Sequence, residues 1–252
     1  MFITTEQQLD EIQTMMLAFI SDVNEDHIID NTYQEGELER VLYAGKIIKN
    51  SPIHVKRLPD FGLKDIEDTI MFGIREYGVQ YFFHDYIHSS MKILSEITGK
   101  AGVKGLREDN VLFMIAVRLK DLAVENDIFI ETATQLNAEY RNAQIYDQNL
   151  LRGAKSIADK IDCGMIMLTV SQEDKEALKN LIETNGFPIP DTKISVYKNR
   201  RGKFKDVLLW CDSNKGTCKI TPRFVTNYQY ELIEIPELKI NVIPKKPAEI
   251  RL

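Results

Sequence analysis

The chain has 252 residues, 44% of them hydrophobic and 28% charged, with a formal net charge of −6. This is ordinary globular composition, enough for one large domain or two small ones. The negative balance argues against a protein that coats nucleic acid over its whole surface, but leaves room for local basic clusters that bind phosphate.

MFIT at the start reads as the tail of a strand, and residues 7–23 follow with helical spacing of Leu9, Ile12, Met15, Met16 and Phe19. Residues 36–49 predict a second helix, SPIHVKRLP a short strand bounded by prolines, and Asp60 to Tyr77 an amphipathic helix. GVQYFFHDYI is apolar without alternation, which suits the buried centre of a parallel sheet. Residues 92–106 carry three glycines and predict a mobile loop; a long helix is expected from about 107 to 126, then the strand DIFIETATQL. Residues 137–155 are polar and basic; GMIMLTVS predicts a strand and 171–187 a helix. From Lys193 to Phe224 the chain predicts two strands round a basic turn and then another hairpin. Strand–helix alternation up to about residue 170 predicts an α/β fold with a parallel sheet, extended by antiparallel β structure. A C-terminal tail, 233–252, is set off by Pro236, Pro244 and Pro247.

Cys163, Cys211 and Cys218 are odd in number and lack CxxC spacing, so they predict reduced thiols in a cytoplasmic protein rather than a disulfide framework or a zinc site. No stretch approaches the roughly 20 apolar residues of a membrane span, and MFITTEQQLDEIQ lacks the basic start of a secretory signal.

Three predicted strands end on polar residues: Thr5-Glu6, His84-Asp85 and Thr134-Gln135. Right-handed crossovers bring such ends to one edge of a parallel sheet, where ligands bind. Asp85 has the setting of a carboxylate that holds Mg²⁺ directly or through water, or equally of an Asx turn. Glu6 is placed to polarise a water, or to stabilise the next helix as an N-terminal acid. Gln135 both donates and accepts, so it suits a sensor of a terminal phosphate or a loop-end hydrogen bond. His84 and His88 raise a metal reading, although their spacing of four straddles a strand end rather than a helix face. Two basic clusters follow. Lys198, Asn199, Arg200, Arg201, Gly202 and Lys203 form either a solvated hairpin tip or a finger for phosphoryl charge. Arg141, Arg152 and Lys155 are either solvating loop charges or contacts to a nucleic-acid backbone.

The order of Glu6, HDYIH, LKDLAVENDIFIETATQLN, LLRGAKSIADKIDCGMIM, YKNRRG and TPRF resembles the RecA-like motor domain of DnaB-type hexameric replicative DNA helicases, phage-like versions most closely. The resemblance covers about residues 1–225. It implies a mostly parallel sheet flanked by helices with a C-terminal antiparallel extension, within a partial motor domain over 1–232. It implies Glu6 as catalytic glutamate, Asp85 as the Walker B aspartate acting on Mg²⁺ indirectly, and Gln135 as γ-phosphate sensor. Lys198 and Arg200 resemble the lysine and arginine finger that act on the adjacent subunit's ATP. Arg141, Arg152 and Lys155 fall where single-stranded DNA is contacted. ATP, Mg²⁺, single-stranded DNA and neighbouring subunits in a hexameric ring are the implied ligands and partners. LRGAK at 151–155 departs from the family's LRESG run, and His84 stands where a small apolar residue or isoleucine is common.

The sequence has no G-x-x-x-x-G-K-[ST]: Gly45-Lys46 precedes Ile47, and Gly99-Lys100 precedes Ala101. The expectation is therefore that the first core strand, the P-loop and its helix lie outside these residues, as does the primase-binding domain. Either a P-loop-bearing partner completes a split motor, or the chain is a RecA-like module that binds DNA or a helicase ring without hydrolysis. An unrelated metal-dependent α/β enzyme using Asp85, His84 and His88 is a third reading. In every case the isolated chain is expected to lack ATPase activity.

Overall fold

The structure is a computed structural model that describes residues 1–101, 107–137, 140, 146–151, 155–202 and 204–234, with backbone only at 97–101, 108 and 155. Two four-stranded sheets organise it. The first is wholly parallel. Its strands are β1 (Phe2–Thr4), β2 (Val55–Arg57), β3 (Tyr81–Asp85) and β4 (Phe129–Thr132), in the order β2-β1-β3-β4. Between them run α1 (Leu9–Ser21), α2 (Glu25–Ile29), α3 (Glu37–Asn50), α4 (Leu63–Tyr77), α5 (Met91–Ala101) and α6 (Glu108–Glu125).

One face of this sheet is a dry core. Ile3, Phe82 and, in part, Ile130 pack against Ile66 and Ile70 of α4, Ile93 of α5, and Leu112, Ile115 and Leu122 of α6. A buried isoleucine or leucine contributes roughly 1.5–3 kcal/mol by leaving water, so this cluster is the main adhesive of the first half. Gly73 lets α4 approach β3: a Cβ there would lie 3.0 Å from Phe82 Cε1. Gly78 then ends α4 in the left-handed region, at φ 63°, a conformation that glycine adopts without strain.

The opposite face differs from expectation. β3 has strands on both sides, but its side chains alternate between exposed and buried: Tyr81 is 62% and Phe83 40% exposed, while Phe82 is 0%. Its continuous apolar sequence therefore does not reflect cover on both faces. The predicted loop at 92–106 also needs correction, because Met91–Ala101 is a helix. Its glycines are a weaker signal than Ile93 and Leu94, whose spacing buries them in the core.

The second sheet is antiparallel, in the order β5 (Cys163–Thr169), β6 (Thr192–Asn199), β7 (Val207–Asn214) and β8 (Lys219–Asn227). The expected parallel alternation thus stops at β4; β5 pairs with β6, antiparallel. A short α7 (Lys155–Lys160) leads into β5, and α8 (Gln172–Asn185) joins β5 to β6. α8 opens with a capping box: Ser171 Oγ accepts from Asp174 N at 3.1 Å, and Asp174 Oδ2 accepts from Ser171 N at 2.8 Å. Asp174 also accepts from Lys193 Nζ at 2.7 Å and Tyr230 OH at 2.9 Å; Lys193 reaches Tyr146 OH at 3.1 Å as well. Burial works against the Asp174 charge, but these donors hold its carboxyl below the usual range. Trp210 and Phe224 complete the core beside this network.

Candidate functional site

The parallel register carries three sequence-predicted residues to one edge. Thr4 pairs with Asp85, and His84 pairs with Thr132, so Glu6, Asp85 and Gln135 all leave the carboxyl ends of neighbouring strands. Thr5 fastens the first two strand ends together: its N–H and its hydroxyl each donate to Asp85 O at 3.0 Å.

Glu6 is not an acid of the α1 first turn. Gln8 caps that helix, Asp10 and Glu11 occupy its first turn, and Thr4 Oγ1 accepts from Gln7 N at 3.1 Å to shape the approach. The Glu6 carboxylate instead accepts from Tyr86 OH at 3.0 Å. Gln135 Nε2 donates to the same hydroxyl at 3.1 Å. Tyr86 therefore bridges Glu6 and Gln135, a link that sequence reasoning missed. Its signal was present: Tyr86 follows Asp85 directly, at the only one of the three strand ends that carries an aromatic beside the acid.

Among the described residues no hydrogen bond reaches the Asp85 carboxylate, so nothing holds it as an Asx turn. Burial, and then the nearby Glu6 charge, raise its pKa above the ordinary aspartate value. Two carboxylates that repel one another at a sheet edge favour a cation between or beside them. The Asp85–Tyr86 peptide is cis.

The two histidines sit beside these strand ends. His84 is 2% exposed, with Nδ1 3.3 Å from Thr132 Oγ1, and desolvation, with His88 second, lowers its pKa to about 4. Its Nε2 is buried without a partner among the described residues. His88 Nε2 lies 3.2 Å from Thr5 Oγ1. No group of three or more His, Cys, Asp or Glu among the described residues is arranged to hold a metal ion.

Lys198 and Arg200 stand on the other sheet, at and just past the end of β6. Lys198 Nζ donates to Ala158 O of α7, and Arg200 N–H donates to Asp162 O at 2.8 Å. The Arg200 guanidinium also pairs with Asp162 Oδ1 at 3.4 Å. Gln135 is followed by a tied loop base: Leu136 bridges Leu151, and Asn137 N–H donates to Leu150 O at 2.8 Å. Of the expected DNA contacts, Arg141 and Arg152 lie outside the described residues; Lys155 is the first residue of α7, with its side chain undescribed.

Residues 1–217 match the DnaB-like helicase C terminal domain. The chain belongs to the DnaB-like helicase C-terminal domain family. A relative, the SPbeta prophage-derived uncharacterized protein YorI of Bacillus subtilis (strain 168), is 38% identical over 242 residues, which is 94% of this chain and 48% of the relative. The chain thus spans about half the length of that curated relative. Two solved structures share the fold. One, described as a DnaB-like replicative helicase and its interactions with primase, superposes with a TM-score of 0.67 at 15% identity, covering 87% of this chain and 49% of its own. The other, described as an ATPase domain, gives 0.66 at 14% identity, covering 87% of this chain and 72% of its own. The DnaB-like chain has, among its described residues, no helix long and apolar enough to cross a membrane.

Proposed function

We infer that this DnaB-like domain supplies the acidic half of an ATP-driven motor that moves along single-stranded DNA in the cytoplasm. The observation that carries the reading is the Glu6–Tyr86–Gln135 chain set beside the unbonded Asp85 carboxylate, on the carboxyl edge of a parallel sheet. Asp85 would hold Mg²⁺, directly or through water, and its raised pKa fits a group whose charge a cation completes. Mg²⁺ supplies neutralisation of phosphate charge when ATP is bound. Glu6 orients and polarises the attacking water, and Gln135 reports the terminal phosphate to Glu6 through the shared Tyr86 hydroxyl. Lys198 and Arg200 act on a neighbouring subunit's nucleotide in a ring, while Arg141, Arg152 and Lys155 contact DNA phosphates.

The residues fit the Mg²⁺ side of the site and not the phosphate cradle, since the sequence has no G-x-x-x-x-G-K-[ST]. The pure chain is therefore inactive as an ATPase, and a P-loop-bearing partner restores turnover. Phosphate release is measured on the chain alone and with that partner, each with and without Glu6→Gln. Turnover should appear only in the mixture and should fall at least a hundredfold with Glu6→Gln. ATPase activity of the pure chain that Glu6→Gln abolishes would sink the inactivity, and a mixture indifferent to Glu6→Gln would sink the role of Glu6.

A further inference from the structure

β2 is the outer strand of the parallel sheet, and among the described residues no strand pairs with its free side. Its inner side is bonded to β1: Phe2 N–H donates to His54 O and Leu58 N–H donates to Thr4 O, each at 2.8 Å. Strand alternation therefore turns the Val55 and Arg57 backbone outward. Beside this edge the core runs out. A cavity of about 760 Å³ opens between the β2 segment, through His54, Lys56 and Leu58, and α4. The helix contributes one stripe, because Asp65, Asp68, Thr69 and Phe72 recur at the spacing of a single helix face.

One wall of the cavity is aromatic. The His54 and Tyr77 rings stack at 3.9 Å, and Phe72 meets Tyr77 edge-on at 5.5 Å. Phe72 is 51% and Tyr77 50% exposed. Open strand edges and aromatic patches of this kind are ordinarily covered. The other wall is acidic, with Asp60, Asp65 and Asp68 against Lys56. Lys92 holds Asp65 at 2.6 Å and Lys64 holds Asp68 at 2.9 Å. The second pair is exposed on both sides, so Asp68 exchanges one cation for another at little cost. No ion pair among the described residues engages Asp60.

One stretch of the sequence has the complementary pattern. Leu238, Ile240 and Val242 alternate with Lys239 and Asn241, Pro244 ends the run, and Lys245 and Lys246 follow. This stretch lies outside the described residues. We propose that residues 238–243 of a second copy pair with β2 as a fifth strand. Leu238, Ile240 and Val242 enter the groove against Phe72 and Tyr77, and Lys245 and Lys246 meet Asp60 and Asp68. A second copy supplies the strand because β2 and β8 are the outer strands of different sheets. β4 and β5 lie between them, joined through α6, whose Lys120 pairs with Asp162 immediately before β5. Three strand spacings of about 4.8 Å in each sheet put β2 and β8 on the order of 30 Å apart. The chain leaves beside β8, where Ile233 N–H donates to Val225 O at 2.9 Å. From Glu234 to Leu238 an extended chain spans at most about 14 Å. The contact is heterologous, so it repeats head to tail from copy to copy. The proposal rests on the β2 edge and not on the ATPase reading, and its test contains no nucleotide.

A strand-sized contact is small and weak, so it is read on the full chain over a roughly hundredfold range of concentration. Light scattering gives the mass, and mass spectrometry follows amide exchange. Mass should rise with concentration, and exchange at Val55 and Arg57 should slow at least tenfold over the same range. Ile240→Asp with Val242→Asp should keep the chain monomeric and those amides open. Asp60→Lys with Asp68→Lys should weaken association at least tenfold, and adding Lys245→Glu and Lys246→Glu to that variant should restore it. Circular dichroism checks each variant for folding. A chain that stays monomeric throughout, or association that leaves the two amides open, overturns the proposal. So does association that survives Ile240→Asp with Val242→Asp, protection that does not change with concentration, or a charge reversal that the second reversal does not rescue.

Discussion

The antiparallel sheet closes its central charged network on its own half of the chain, leaving Thr217 Oγ1 in the β7–β8 turn unpaired among the described residues, whereas the parallel sheet leaves its strand-end chemistry unfinished. In the first, a lysine and an aspartate that are each 2% exposed bind one another and two tyrosines, and Trp210 Nε1 donates to Thr226 Oγ1 at 2.9 Å. In the second, His84 Nε2 is buried without a partner, Asp85 carries a carboxylate that no donor reaches, and β4 offers an open edge, all among the described residues. Satisfied buried groups make a scaffold, and unsatisfied polar groups at the carboxyl edge of a parallel sheet are candidates for a ligand site.

The largest effect that tests this contrast is in the scaffold. Lys193→Met leaves the Asp174 carboxylate buried without its cation and should cost about 3–5 kcal/mol of stability. Urea unfolding followed by fluorescence of Trp210, the one tryptophan, measures it. The double change Lys193→Met with Asp174→Leu should recover most of the loss. A loss below about 1 kcal/mol would show that the pair is not the closed unit described.

Next comes the pH dependence of the parallel sheet. His84 titrates near 6.5 when unfolded and at about 4 when folded, so the unfolded chain takes up the proton first. Its contribution is whole above pH 6.5 and is lost as the pH falls toward 4, by roughly 3 kcal/mol in total. His84→Phe should remove that share of the slope, measured as unfolding free energy against pH. An unchanged slope would assign the acid sensitivity elsewhere.

Asp85 works with the opposite sign. Its folded pKa is raised, so the folded chain binds the proton more tightly and this contribution declines as pH rises from the ordinary aspartate value through the raised one. Asp85→Asn should therefore raise the thermal midpoint by a few degrees at neutral pH, and added Mg²⁺ should stabilise the parent chain but not the variant. Scanning calorimetry reads both; a lowered midpoint would place Asp85 in the scaffold. The smallest effect is Tyr86→Phe. The bridge is exposed, so stability should change by less than about 0.5 kcal/mol, while turnover of the completed motor should fall as Glu6 and Gln135 uncouple.

The residues themselves reveal much of this. The helical spacing of Leu9 to Phe19 and of Ile66 to Ile74 marks α1 and α4, and polar residues after apolar runs mark Glu6, Asp85 and Gln135 as strand ends. Periodicity and strand punctuation are local, so a single sequence records them. It does not record which strand pairs with which. GMIMLTVS has the composition of a buried parallel strand, and only its ladder with β6 places it in the antiparallel sheet. YFFHD looks buried on both faces, yet Tyr81 and Phe83 are exposed, because cover is decided by what lies above the sheet. Tyr86 is one aromatic among several until the β1–β3–β4 order brings Glu6 and Gln135 to its hydroxyl. Local order along the chain is enough to set the elements and the chemistry at their ends. Pairing and cover arise only on folding, since they depend on contacts between residues far apart in the chain, as Thr5 and Asp85 are at 80 positions.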